Sequence, residues 1–151
     1  MTQVVRKIAK EQEGVVLIEA LLALPVLTLL TFGILEFGNM MWQRQQLQVG
    51  IRDAARYWSR CQPTFHSCSQ AKARNIAFYG NPAGTGGVRI PGWDEASGLT
   101  ITPATPPTSP TPADIVTVSG TMTYEGSPFF GFLLGSSVTI GTYTTMRYLG
   151  T

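Results

Sequence analysis

From Val15 to Leu35 the chain is almost unbroken apolar sequence, interrupted by one charge, Glu19. As a helix rising about 1.5 Å per residue, that stretch reaches roughly 30 Å, the thickness of a bilayer core. Residues 15–36 therefore read as a transmembrane helix. Pro25 lies inside it and removes one backbone donor, so a kink is expected. Thr28 and Thr31 are placed to bond back to the backbone one turn earlier. Beyond the span the period changes. No proline occurs from Glu36 to Arg60, and Leu47, Ile51, Ala54, Ala55 and Trp58 recur at helical spacing as one apolar stripe. The helix is expected to run on to about residue 60, where Cys61-Gln62-Pro63 ends it. Arg52, Arg56 and Arg60 form a basic ridge beside the stripe. That ridge reads as a solvated face or, alternatively, as a docking surface for a neighbouring subunit. Trp42 suits an interfacial anchor.

A shorter helix is expected from Ser69 to Tyr79, with Ser69 as its N-cap, Gly80 as its stop, and Ile76, Ala77 and Phe78 toward the core. From Gly80 the grammar becomes that of loops and strands. Leu99–Thr102 reads as a short strand, and 103–112 as a Pro/Thr connector with polyproline character, open to glycosylation on composition. Two longer strands alternate with period 2. Residues 115–124 set Val116, Val118, Met122 and Tyr124 against threonines and serine. Residues 138–148 set Val138, Ile140, Met146 and Tyr148 on one face, with Arg147 on the other. Between them, the apolar loop around Phe129–Leu134 reads as a core plug or, alternatively, as a subunit contact or membrane-surface patch. The fold class is α+β. A long N-terminal helix, transmembrane then amphipathic, packs on a small, mostly antiparallel sheet. The regions are 1–14, a polar leader; 15–36, the span; 37–80, an extracytoplasmic helical region; and 81–151, a β-rich extracytoplasmic region.

Composition narrows the function. The chain has 151 residues and a net charge of +2, too little to suggest a nucleic-acid partner. Only 13% of residues are charged, about half the usual share. Thr, Ser, Gly and Pro fill the gap, as in an exported domain. Cys61 and Cys68 are then expected to form a disulfide. His66 between them makes a Cys-x4-His-x-Cys pattern, but a metal site wants further ligands and none is nearby in sequence. No metal, cofactor or catalytic residue is assigned. The chain has one histidine, His66, and no nucleophile elbow, zincin motif or dinucleotide fingerprint, so an enzyme is not expected. Asp94-Glu95 reads as a loop, and Asp53 beside Arg52 needs no catalytic role.

The leader carries Arg6, Lys7 and Lys10, but Arg44, Arg52 and Arg56 lie beyond the span, so charge alone does not orient it. Glu19 costs roughly 2.5–3.5 kcal/mol at a helix centre in a bilayer, less near an end. A cut after Gly14 would offset this. Val15 would carry a new amine, Glu19 would lie about one helical turn away, and in a bundle it could pair with the amine of a neighbouring helix. Such a pair acts mainly as a register device.

A glycine-terminated leader followed by a glutamate at the fifth position of an apolar helix resembles the type IV prepilin pattern. The details are similar to the TadE-like pseudopilins of the tight-adherence (Flp) pilus system. The start reads Gly14-Val15-Val16-Leu17-Ile18-Glu19-Ala20, with Pro25 following. Ile34-Leu35-Glu36-Phe37-Gly38, Arg52-Asp53-Ala54-Ala55-Arg56-Tyr57 and Met146-Arg147-Tyr148 match further family segments. The chain departs from the pattern at Ala20 and Leu149. The resemblance implies a pilin-like minor pilin, cut between Gly14 and Val15 by a membrane prepilin peptidase, with Glu19 serving processing and assembly. It implies single-pass residence in a bacterial inner membrane, the leader cytoplasmic and the C-terminal domain periplasmic. It implies other pilin and pseudopilin subunits and an inner-membrane assembly platform as partners, and a role in adhesion and biofilm formation. The alternative is an unprocessed single-pass anchor that presents a binding module outside the cell.

Overall fold

A computed structural model describes the backbone of residues 2–63, 67–93, 98–109, 111, 113–124, 126–127, 130–131 and 137–149, with side chains from residue 14 onward. Helix α1 runs Thr2–Ser59 and helix α2 Gln70–Tyr79; strands β1 (Leu99–Thr102), β2 (Ile115–Tyr124) and β3 (Val138–Arg147) follow. A long apolar helix and a small antiparallel sheet make this an α+β chain, as the hydrophobic pattern implies. It divides into two compact units, Met1–Asn39 and Met40–Thr151. The amphipathic helical stretch and the β-rich stretch thus share one unit.

The first unit is helix only, and α1 passes through Pro25 uninterrupted. Thr28 Oγ1 donates to the Leu24 carbonyl at 2.7 Å and Thr31 Oγ1 to Leu27 at 2.8 Å. Both hydroxyls are satisfied inside the helix, which is what an apolar surrounding requires of them.

The second unit is built on the apolar stripe of α1. Leu47, Ile51, Ala54, Ala55 and Trp58 are all buried in one cluster with the strand residues. The sheet order is β1-β2-β3, antiparallel throughout. Its inner face follows the strand alternation: Leu99 and Ile101 on β1, Val116, Val118, Met122 and Tyr124 on β2, Ile140 on β3 and Tyr148 just after it. Gly120 lies in the middle of that face. A Cβ there would sit 2.7 Å from Ile51 Cδ1, so the absence of a side chain lets α1 settle on the sheet. Val138, expected on the apolar face with Ile140, opens the last strand exposed at 36% and does not join the core cluster.

Two details of α2 differ from what the sequence suggests. Ser69 has the extended backbone of an N-cap, but its side chain makes no capping hydrogen bond. Ile76 is only half buried; Ala73, Ala77 and Phe78 face the core instead. Residues 73 and 77 are one turn apart and share a face, whereas 76 is rotated about 100° from 77. Gly80 closes the helix in the left-handed conformation at φ 78°, and its N–H donates to the Ile76 carbonyl at 3.0 Å.

The stretch after α2 contributes more core than its glycines suggest. Ile90 and Trp93 are buried, and Trp93 meets Phe78 edge-on with ring centroids 4.6 Å apart. Phe130, from the apolar loop after β2, is half buried and packs edge-on against Tyr124 at 5.7 Å. The remainder of that loop at Phe129 and Phe132–Leu134, along with His66, Asp94, Glu95 and the side chains of the leader, lies outside the described residues.

Candidate functional site

The site suggested by the sequence lies on α1 within the first unit. Gly14, Val15 and Glu19 all belong to that helix and all are exposed. Val15 and Glu19 are four residues apart and so stand on the same helix face. A Cβ at Gly14 would meet nothing within 4 Å. Among the described residues nothing therefore demands glycine there for packing. Among the described side chains Glu19 has no ion-pair partner.

Around this carboxylate the helix surface is apolar on every side. Val15, Val16, Leu17, Ile18, Leu21, Leu22, Leu24 and the large residues onward to Phe37 stand in the open. An apolar surface all around a helix, none of it buried in the chain, needs an apolar medium or other helices. By length and composition this helix can cross a membrane once.

The second unit joins the cysteines. Cys61 and Cys68 are disulfide-bonded, with Cα atoms 5.6 Å apart. The bond ties the end of α1 to the approach to α2. The same corner is fixed from the sheet. The Tyr148 hydroxyl donates to the Cys61 carbonyl, and the Leu149 N–H donates to the Ser59 carbonyl at 2.8 Å. Burial pushes the Tyr148 phenol above its ordinary value of 10.0, because the charged form would be poorly solvated there. Trp58 Nε1 donates to the Pro103 carbonyl at 2.9 Å, holding the start of the Pro/Thr connector to α1.

Asp53 pairs across space with Arg89 at 2.7 Å and not with its sequence neighbour Arg52. Arg52, Arg56 and Arg60 are exposed. Their ridge is thus continuous, with Asp53 turned aside to the loop after α2. Sequence reasoning missed Arg89, Ile90, Trp93 and Gly50. The signal available was large apolar residues set in a glycine-rich loop, which a purely solvated loop would not need. An open depression of about 520 Å³ is lined by Tyr57, Ser67, Lys72, Pro82 and Ala83. Its one charge, Lys72, donates to Ser67 Oγ at 3.0 Å. Among the described residues no cluster of three or more His, Cys, Asp or Glu could hold a metal ion.

With the helix, its carboxylate and its apolar surface in view, comparison with known families is informative. Residues 14–56 match the family model described as TadE-like protein. Over these residues the chain resembles the TadE-like family. The match begins at Gly14, covers Glu19 and Pro25, and extends through Arg56 on the amphipathic half of α1. The TadE-like family is associated with the Tad pilus. No curated protein and no solved structure matches the chain.

Proposed function

We propose that this chain is a TadE-like pseudopilin that takes part in assembly of a Tad pilus after its leader is removed between Gly14 and Val15. The observation that carries this reading is where the family match starts. It begins at the glycine, not at the N-terminus of α1, and it covers Glu19, one turn beyond Val15 and without an ion-pair partner among the described side chains. Glycine weakens a helix by about 1 kcal/mol relative to alanine, which favours local opening of α1 for a peptidase. Once cut, the chain presents an amine at Val15 and a carboxylate at Glu19. In a bundle of such helices the carboxylate of one subunit meets the amine of the next. That contact supports a role for Glu19 in register, since in an isolated span it is only a cost. The exposed apolar surface is consistent with the same medium and the same neighbours.

In this reading the leader lies in the cytoplasm, residues 15–36 span the inner membrane and residues 37–151 lie outside it. Other pilin and pseudopilin subunits and the inner-membrane assembly platform are the partners. The disulfide between Cys61 and Cys68 fits an oxidising exterior.

N-terminal sequencing of membrane-extracted protein, from cells with and without the prepilin peptidase, tests the reading. The expected result is a Val15 start that requires the peptidase. An intact N-terminus in peptidase-positive cells would make the chain an unprocessed anchor with an external binding module. Glu19→Ala should sharply reduce pilus assembly and leave the thermal melt of the outer unit unchanged.

A further inference from the structure

The connector between β1 and β2 is gripped at both ends and presented to solvent between them. Trp58 Nε1 and Gln70 Nε2 donate to the Pro103 and Ala104 carbonyls at 2.9 and 3.0 Å, so α1 and α2 each hold its start. At the far end the Asp114 carboxylate accepts from both the N–H and the hydroxyl of Thr111, at 2.7 and 3.0 Å. The Asp114 carbonyl accepts from the Tyr148 N–H at 2.9 Å, which ties that end to the close of β3. Between these anchors Pro106 and Pro107 are half-buried, whereas Thr105, Thr108 and Ser109 are exposed. The prolines thus form the inner side of the loop and the hydroxyls its outer side. Among the described residues no hydrogen bond engages the hydroxyl or the backbone of Thr105, Thr108 or Ser109.

Other exposed threonines of the outer unit are placed differently. Thr100, Thr121, Thr123, Thr139 and Thr145 lie within the sheet, where the backbone is committed to its register. Thr85 is pinned to Asn81 through both its N–H and its carbonyl. An enzyme that binds an extended acceptor backbone in a cleft can take residues 105–109 without unfolding anything. It would have to peel a strand away to take the threonines of the sheet. Composition points to the modification. No charge occurs from Leu99 to Ala113, and Pro103, Pro106, Pro107, Pro110 and Pro112 are interspersed with Thr105, Thr108, Ser109 and Thr111. Prolines hold such a stretch out of helix and sheet, and Pro with Ser and Thr is the composition of O-glycosylated stalks.

We propose that Thr105, Thr108 and Ser109 are the acceptors of an O-glycosylation site. The hydroxyl oxygen attacks the anomeric carbon of a sugar activated as a nucleotide or polyprenyl phosphate ester. The new carbon–oxygen bond replaces the bond from that carbon to phosphate oxygen. The phosphate group leaves with the electron pair, and the hydroxyl proton passes to a base of the transferase. Thr111 is not an acceptor, because its hydroxyl is given to Asp114. A sugar on the outer side of this loop displaces no core group, and the gripped ends keep the acceptors displayed. The site does not depend on cleavage at Gly14.

Intact mass spectrometry of the full-length protein extracted from its native membranes, followed by electron-transfer fragmentation, tests this. The expected result is a mass above that of the sequence by one or more whole sugar residues, carried on residues 105–109. The shift is read against both the uncut chain and a Val15 start, so the outcome at Gly14 does not disturb it. Thr105→Val combined with Thr108→Val and Ser109→Ala should lose all of the added mass. The same variant should keep the wild-type thermal melt, since exposed positions without partners contribute little to stability. Thr111→Val should keep the added mass. A wild-type chain at its unmodified mass overturns the proposal, and so does sugar that persists in the triple variant or maps to the threonines of the sheet.

Discussion

Gly50 sits in the middle of α1, where helix propensity alone favours alanine by about 1 kcal/mol. Packing predicts the opposite. A Cβ at this position would lie 2.5 Å from the Ala77 carbonyl oxygen and 3.1 and 3.2 Å from two ring carbons of Trp93. The carbonyl belongs to the backbone of α2 and cannot rotate out of the way. To restore ordinary contact, α2 must retreat by roughly 1 Å, and that retreat loosens the burial of Ala73, Ala77 and Phe78. Overpacking of this kind costs about 1–3 kcal/mol. After the propensity gain, Gly50→Ala should destabilise the outer unit by about 1–2 kcal/mol. For a unit of this size that corresponds to a fall in Tm of roughly 4–10 °C. Gly38→Ala is the control, because a Cβ there meets nothing within 4 Å. The measurement is near-UV circular dichroism of the full chain in detergent, which follows the packed Trp58 and Trp93. If Gly50→Ala melts at or above the wild-type temperature, the close approach of α1 and α2 is wrong.

Tyr148→Phe leaves the Cys61 carbonyl without its donor and should cost about 1–3 kcal/mol by chemical denaturation. Because burial raises the phenol above 10.0, its contribution is fully present below that pH and is lost as pH rises through the elevated value. Wild-type stability should therefore decline in that alkaline window, and Tyr148→Phe should show a shallower decline. The disulfide closes a short loop with a sequence separation of 7, and Cys61→Ser with Cys68→Ser should lower stability by roughly 2–3 kcal/mol; an unchanged denaturation midpoint would contradict this. Asp53→Ala leaves the largely buried Arg89 guanidinium without its carboxylate. A loss of about 1 kcal/mol is expected, measured against Asp53→Ala with Arg89→Ala in a double-mutant cycle.

Local pattern carried much of this protein. The apolar run from Val15 to Leu35 declares a helix in an apolar medium, because its periodicity and length need no partner to be read. The stripe from Leu47 to Trp58 and the alternation in β2 likewise predict their buried faces, since a helix or strand turns each residue by a fixed angle. Gly14 and Glu19 were legible as spacing along one helix, and the TadE-like match covers both. Contacts between distant residues were not legible. Asp53 met Arg89 and not Arg52, because adjacent helical residues point in different directions while a loop can return from far away. Ile90 and Trp93 entered the core from a stretch with no period to betray them. The reason for a glycine at position 50 lies in α2, whose Ala77 carbonyl leaves no room for a side chain. The place of β3 at the end of the sheet likewise depends on which strand lies in the middle. Alternation identifies a strand and its faces, but only the order β1-β2-β3 decides which backbone groups remain to be paired.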